Sequence, residues 1–238
     1  LIDATVSFYG LYTAINQQVT LQNQDPVLLE NAELLGLSLR MTEDELTRDC
    51  LRSSASVYNC VGGLNGDFPT NLSLFDNDRV TAMLLTNDAW RMFRAIGGEN
   101  KFGTGPTRDA YLALGHTNLS QDLNAVNGVV PKWNYPNSGA GVLESEWAAL
   151  NNVRFMLSSV GSVVPNASAM QADVYNIFYQ GMESLATIYQ DNFSSRFYYR
   201  PPVYSDPLFQ NVTLGYVTAM VPTILNDLWI KVVNCTLR

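Results

Sequence analysis

Residues 25–52 carry one helical pattern, and its length limits the folds open to the chain. Leu28, Leu35, Leu39 and Leu46 recur at helical spacing, with Ala32 between them. Asp25 reads as an N-cap and Pro26 as the first helical residue. About 28 residues at 1.5 Å each give a rod of roughly 42 Å. Its apolar stripe needs a long surface to pack on. Thr42-Glu43-Asp44-Glu45 in its middle has the form of a capping box. That phrase either restarts a second helix after a kink near Met41 or sits on the solvent face, and a single helix is expected.

Strand patterns lie on both sides of this rod. Residues 4–21 alternate, with Val6, Phe8, Gly10 and Tyr12 on one face and Ser7, Tyr9, Leu11 and Thr13 on the other. The chain closes on two apolar runs, 214–222 and 228–235, separated by a short Asn-Asp break. Between them, residues 53–70 read as a loop or short hairpin, and 76–85 and 87–96 as helices stopped by Gly97-Gly98. Residues 101–108 form a glycine-containing loop without the flanking strand, helix and Lys-Ser/Thr ending of a phosphate cradle. Residues 110–114 and 154–158 read as strands, 119–126 as a helix and 129–141 as a loop. Residues 169–181 suit a strand pair or a short helix, 184–196 are ambiguous, and 197–204 are a loop or sheet edge. Strands at both ends with helices between predict an α+β chain whose two ends meet in one sheet.

The 238 residues suffice for one large domain or two small ones. Hydrophobic residues make up 47% and charged ones only 15%, which fits a protein that hides much of its surface against partners. A net charge of −8 with scattered basic residues argues against reading nucleic acid. Cys50, Cys60 and Cys235 are an odd count in a chain this long, which is not a disulfide framework. A Cys50–Cys60 bond is the one alternative to three reduced thiols. No apolar run approaches the ~18 residues of a membrane span. Asn71, Asn118, Asn166, Asn192, Asn211 and Asn234 begin N-x-S/T sequons. They suggest a secreted, glycosylated binding module as a rival, although chance sequons are expected in a chain rich in Asn, Ser and Thr.

Chemistry finds little to work with. His116, the lone histidine, lies near Ser120 and Asp122, so a hydrolase triad is conceivable. No G-x-S-x-G elbow accompanies it, and a structural histidine is expected. Glu144 and Glu146 are spaced like a glycosidase pair, but their place before Trp147-Ala148-Ala149-Leu150 suits solvated acids at a helix start. Tyr198, Tyr199 and Tyr204 around Pro201-Pro202 form an aromatic patch suited to packing or a subunit contact. The expectation is no catalytic residue, no metal site and no cofactor.

Four stretches in order carry a family likeness. The first joins Tyr9-Gly10-Leu11-Tyr12, Asp25-Pro26, Leu34-Leu35-Gly36 and Leu46-Thr47-Arg48-Asp49-Cys50-Leu51. The second is residues 108–116 with Asp122-Leu123, and the third residues 144–155 with Asn152-Val153-Arg154-Phe155. The fourth is the ending that opens at Asp206-Pro207-Leu208. Together they resemble the major capsid family typified by coliphage N-four, within the Hong Kong 97 phage-type shell fold. His116 is followed by Thr117 where the family has proline, and Asn152 replaces a glycine. The family's N-terminal arm and extended loop precede the Tyr-Gly strand and have no counterpart in this sequence.

The resemblance implies a peripheral domain of residues 1–69 and 206–238 with the long helix, and an axial domain of residues 70–205. It implies a structural subunit of a phage virion that assembles in the bacterial cytoplasm. Copies of the chain would form pentamers and hexamers and close an icosahedral head around double-stranded DNA, without sequence-specific binding. Portal, scaffold and decoration proteins would be further partners, and no membrane is involved.

Overall fold

The computed structural model describes residues 3–22, 26–93, 109–135, 143, 145–168, 171–190, 194–202, 208 and 210–238. The chain divides into two compact units. The first comprises residues 1–47 and 187–223, the second 48–186 and 224–238.

The first unit is a helix on a sheet. Strand β1 (Ser7–Asn16) runs into a short helix α1 (Gln17–Gln22), and the long helix α2 spans Val27–Arg52. Pro26 stands one residue before α2, and its carbonyl accepts from the Leu29 and Glu30 amides. The helix is single and has 26 residues, about 39 Å. The Thr42-Glu43-Asp44-Glu45 phrase caps nothing; Thr42 and Thr47 hydroxyls instead donate to the carbonyls one turn back, Ser38 and Glu43. Strand β12 (Asn211–Ile224) is the spine of the sheet, pairing antiparallel with β1 on one side and with β10 (Leu185–Tyr189) and β11 (Arg196–Arg200) on the other. Leu35 and Leu39 of α2 are buried against Tyr216, with Leu214 beside them. The Tyr216 hydroxyl lies 3.4 Å from Ser38 Oγ and 3.3 Å from Thr42 Oγ1, so the helix also meets the sheet through polar groups. Leu28 and Leu46 extend the stripe half-buried.

In the second unit, strands β2 (Val57–Val61), β3 (Leu64–Asn65), β4 (Tyr111–His116), β5 (Val130–Pro131), β6 (Glu146–Leu150), β7 (Val153–Ser158), β8 (Val163–Val164), β9 (Val174–Gln180) and β13 (Ile230–Cys235) form one sheet among the described residues. Its order is β3-β2-β13-β9-β4-β7-β6-β5, with β8 on β9. Helices α3 (Leu74–Thr86) and α4 (Ser120–Ala125) accompany it. Val80 and Leu84 of α3 and Leu123 of α4 join Tyr58, Cys60, Tyr111, Phe155, Ile177, Tyr179, Val233 and Cys235 in the main core. Leu51, Phe178, Ile230 and Val232 form a smaller cluster. Alternate residues of β9 and β13 thus feed two clusters, and the polar Asn176 and Asn234 among them are hydrogen-bonded.

Buried polar groups fix the second unit's register. Asp76 at the start of α3 accepts from the Gly63 amide at 2.6 Å, the Ser73 amide at 3.1 Å and the Tyr58 hydroxyl at 3.3 Å. It completes a capping box with Ser73 and ties the Gly62-Gly63 turn, at φ of +63° and +94°, to the helix. Burial, aided by the Asp76 charge, pushes the Tyr58 phenol up to about 12. Asn59, Asn234 and Asn176 stand in register on β2, β13 and β9. Their amides bond strand to strand at 2.8 and 2.5 Å, and Ser162 donates to Asn176 at 2.6 Å.

Several expectations are corrected. The chain ends do not share one sheet: β12 pairs with β1, whereas β13 belongs to the sheet of the second unit. The break is at Asn226, whose side chain accepts from the Leu228 amide and opens a 3-10 turn, Asp227–Trp229. The two compact units divide after residues 47, 186 and 223. The long N-terminal strand stops at Asn16, whose Oδ1 caps the Gln18 amide and starts α1. Residues 87–93 are not helical: the Asn87 amide closes α3, and Phe93 bridges to Ala110. Residues 94–108, with the glycine-containing loop, lie outside the described residues, as do Asp25, Asp206 and Pro207. Residues 174–180 form the single strand β9, not a strand pair or helix.

Candidate assembly surface

The residues that suggested chemistry hold local contacts. His116 caps the turn Thr117–Leu119: its Nδ1 accepts from the Asn118 amide at 3.1 Å, and its ring lies 5.7 Å from that of Tyr175. Asp122 is buried and accepts from the Arg238 amide at 3.1 Å. Among the described residues no hydrogen bond joins His116, Ser120 and Asp122. Likewise, no group of three or more His, Cys, Asp or Glu could hold a metal ion.

Glu146 reverses the expectation of a solvated acid at a helix start. It begins strand β6, is buried and ion-paired with Arg154 of β7. Arg154 Nε donates to Glu146 Oε1 at 2.7 Å, Tyr135 donates to the same oxygen at 2.8 Å, and the Leu143 amide to the other at 3.2 Å. The guanidinium also lies 4.6 Å over the Phe93 ring. Burial and the Glu146 carboxylate raise the Tyr135 phenol. Glu144 lies outside the described residues.

No disulfide joins Cys50, Cys60 and Cys235. Burial raises the Cys60 and Cys235 thiols, so both stay neutral in the core. Of the sequon asparagines, Asn234 is engaged on both sides in the amide ladder, and Asn118 donates to the Tyr175 hydroxyl. Asn192 lies outside the described residues.

Two faces of the first unit carry exposed apolar side chains. One is the sheet face opposite α2. Register places Phe8, Gly10 and Tyr12 of β1 beside Ala219, Val217 and Gly215 of β12, with Tyr198 and Arg200 of β11 continuing the row. Phe8 is 58% and Tyr12 74% exposed. A groove of about 270 Å³ runs between Tyr12, Tyr198 and Arg200. Its floor needs the two glycines: a Cβ on Gly10 would stand 2.8 Å from the Tyr216 carbonyl oxygen, and one on Gly215 3.0 Å from that of Leu11. The Tyr-Gly pair of the sequence is therefore a close strand approach. The expected aromatic patch divides, because Tyr198 and Tyr199 point to opposite faces of an edge strand; Tyr204 lies outside the described residues.

The second face is the outer side of α2. Leu34, Leu37 and Met41 are 62%, 59% and 52% exposed and fall on one stripe, flanked by Glu30 and Asp44 at the same 3–4 spacing. The stripe is legible in the sequence once the inner leucines are assigned, since these positions lie nearly opposite them on the helix.

No family model matches this sequence, and no curated protein matches it. Solved structures do. The capsid of Ralstonia phage GP4 aligns with a TM-score of 0.72 at 10% identity, over 98% of this chain and 74% of that one. The head of Helicobacter pylori bacteriophage KHP40 aligns at 0.62 and 9% identity, over 98% and 74%. The SrpI encapsulin complex of Synechococcus elongatus gives 0.60 and 10%, over 96% and 73%. The chain has the α+β fold of Hong Kong 97-type capsid proteins, with the long helix and mixed sheets of that architecture.

Proposed function

We propose that this chain is the major capsid subunit of a tailed phage. Copies form pentamers and hexamers that close an icosahedral head around double-stranded DNA in the bacterial cytoplasm. The observation that carries this reading is the placement of exposed apolar side chains on two continuous faces of a shell-forming fold. A subunit that is covered only when neighbours arrive needs such faces, and point-group closure then removes the free ones. The net charge of −8 suits a wall that must enclose DNA without gripping it. We assign the peripheral role to residues 1–47 with 187–223 and the axial role to the other unit. Kinship to the coliphage N-four type, and partnership with portal, scaffold and decoration proteins, extend the same reading. The His116 hydrolase loses support because the histidine's Nδ1 and Asp122 have other partners.

Expression in bacteria followed by gradient sedimentation and negative-stain imaging tests the proposal. Closed particles are expected, and their ultraviolet absorbance tests for enclosed nucleic acid. A monodisperse monomer at high concentration would overturn the assignment.

A further inference from the structure

The second unit carries a groove of about 440 Å³ that the fold does not use. Arg79, Met83, Thr86 and Asn87 of α3 and its cap line one side, and Leu228 and Lys231 the other. Both cations lie in an acidic chain, yet no acidic residue lines the groove. Among the described residues neither is ion-paired; Lys231 donates to the Ser56 hydroxyl. Leu228 is 59% exposed and gives the groove an apolar wall beside Met83. The groove thus offers two positive charges around an apolar strip.

The outer stripe of α2 is its chemical complement. It reads Glu30, Leu34, Leu37, Met41, Asp44, an apolar centre with a carboxylate at each end. Among the described residues neither Glu30 nor Asp44 has a cationic partner. A free anion or a phosphate backbone would use Arg79 and Lys231 but leave the apolar wall wet. An acidic, apolar helix face would use both. We propose that the Arg79–Lys231 groove of one copy receives the outer α2 stripe of a second copy. The inference rests on the self-assembly reading and names the contact by which it proceeds. Because the two surfaces differ, the contact is head-to-tail and propagates around a ring. Charge placement would steer the encounter, and the apolar strip would hold it.

The lysines of the chain are Lys101, Lys132 and Lys231, so carbodiimide coupling of amines to carboxylates is selective. Isotope-labelled and unlabelled full-length protein are mixed, allowed to associate and coupled; mass spectrometry then identifies linked peptides of mixed label. Amides joining Lys231 of one copy to Glu30 or Asp44 of another are expected. Particles that form without them overturn the inference and leave the shell reading standing. Linked pairs without particles do the reverse.

Arg79→Glu, with thermal unfolding unchanged, is expected to weaken association about tenfold or more. Arg79→Glu combined with Asp44→Lys is expected to regain most of that loss. Wild-type association by Arg79→Glu, or a change confined to the nucleic-acid content of the particles, would overturn the pairing.

Discussion

The two units differ in how much of their apolar chemistry they bury. In residues 48–186 with 224–238, helices and turns cover a sheet whose central strands are buried on both faces. In residues 1–47 with 187–223, the buried cluster is Leu35, Leu39 and Tyr216, while Phe8, Tyr12, Leu34, Leu37, Met41 and Tyr199 stay exposed. The second unit buries a large core, although Phe75, Trp133 and Leu228 stay exposed on it as well. The first carries comparable apolar chemistry on surfaces that its own residues do not cover. Burial removes area from water in proportion to contact, so the larger core gives the second unit more stability of its own than the small Leu35–Leu39–Tyr216 cluster gives the first.

The sharpest way to break this contrast is the buried ion pair. Arg154→Ala leaves the Glu146 carboxylate uncompensated in the core and should cost roughly 3–5 kcal/mol in denaturant unfolding. The paired change Glu146→Leu with Arg154→Met should recover most of it, since no charge is then stranded. If the single and double variants are equally destabilised, packing around the pair is what matters, not its charge.

Truncation in the two cores should differ in degree. Leu84, fully buried between α3 and the sheet, should lose about 3–5 kcal/mol as alanine. Leu35→Ala should lie nearer ~2 kcal/mol, because its cluster is small and can collapse. Chemical denaturation of both variants, at a protein concentration too low for association, makes the comparison. Equal losses would remove the distinction between the cores.

Alkali should act on the second unit first. Cys60, Cys235, Tyr58 and Tyr179 are held neutral by burial, so each keeps its proton to higher pH folded than unfolded. Their contribution is complete below ~8.5, where an unfolded thiol begins to ionise. It is lost as pH rises, and for Tyr58 the loss runs from 10.0 up to about 12. Near-ultraviolet circular dichroism across that range should show cooperative loss of the second unit's tyrosine signal. A flat trace to pH 12 would contradict it.

The smallest effect on the isolated chain is predicted for the outer stripe. Leu37→Ser should change subunit stability by no more than about 0.5 kcal/mol, yet lower the yield of assembled material. Unaltered assembly would mean that this face is not a contact.

Periodicity alone determined the long helix, its inner Leu35–Leu39 seam, the opening strand and the α+β class, because those signals repeat locally every 3.6 or 2 residues. The Tyr9-Gly10 pair and the order of the four stretches carried the fold type. Tertiary structure decided the rest. Glu146 reads as a solvated acid until β6 lies beside β7 and Arg154 meets it eight positions on. Nothing in the final apolar run distinguishes β13 from β12, yet one lies between β2 and β9 and the other beside β1. Sheet membership is set by which long-range partners bury a strand's two faces, and an apolar run is compatible with either sheet. The Arg79–Lys231 groove joins residues 152 positions apart, a juxtaposition that chain spacing does not encode.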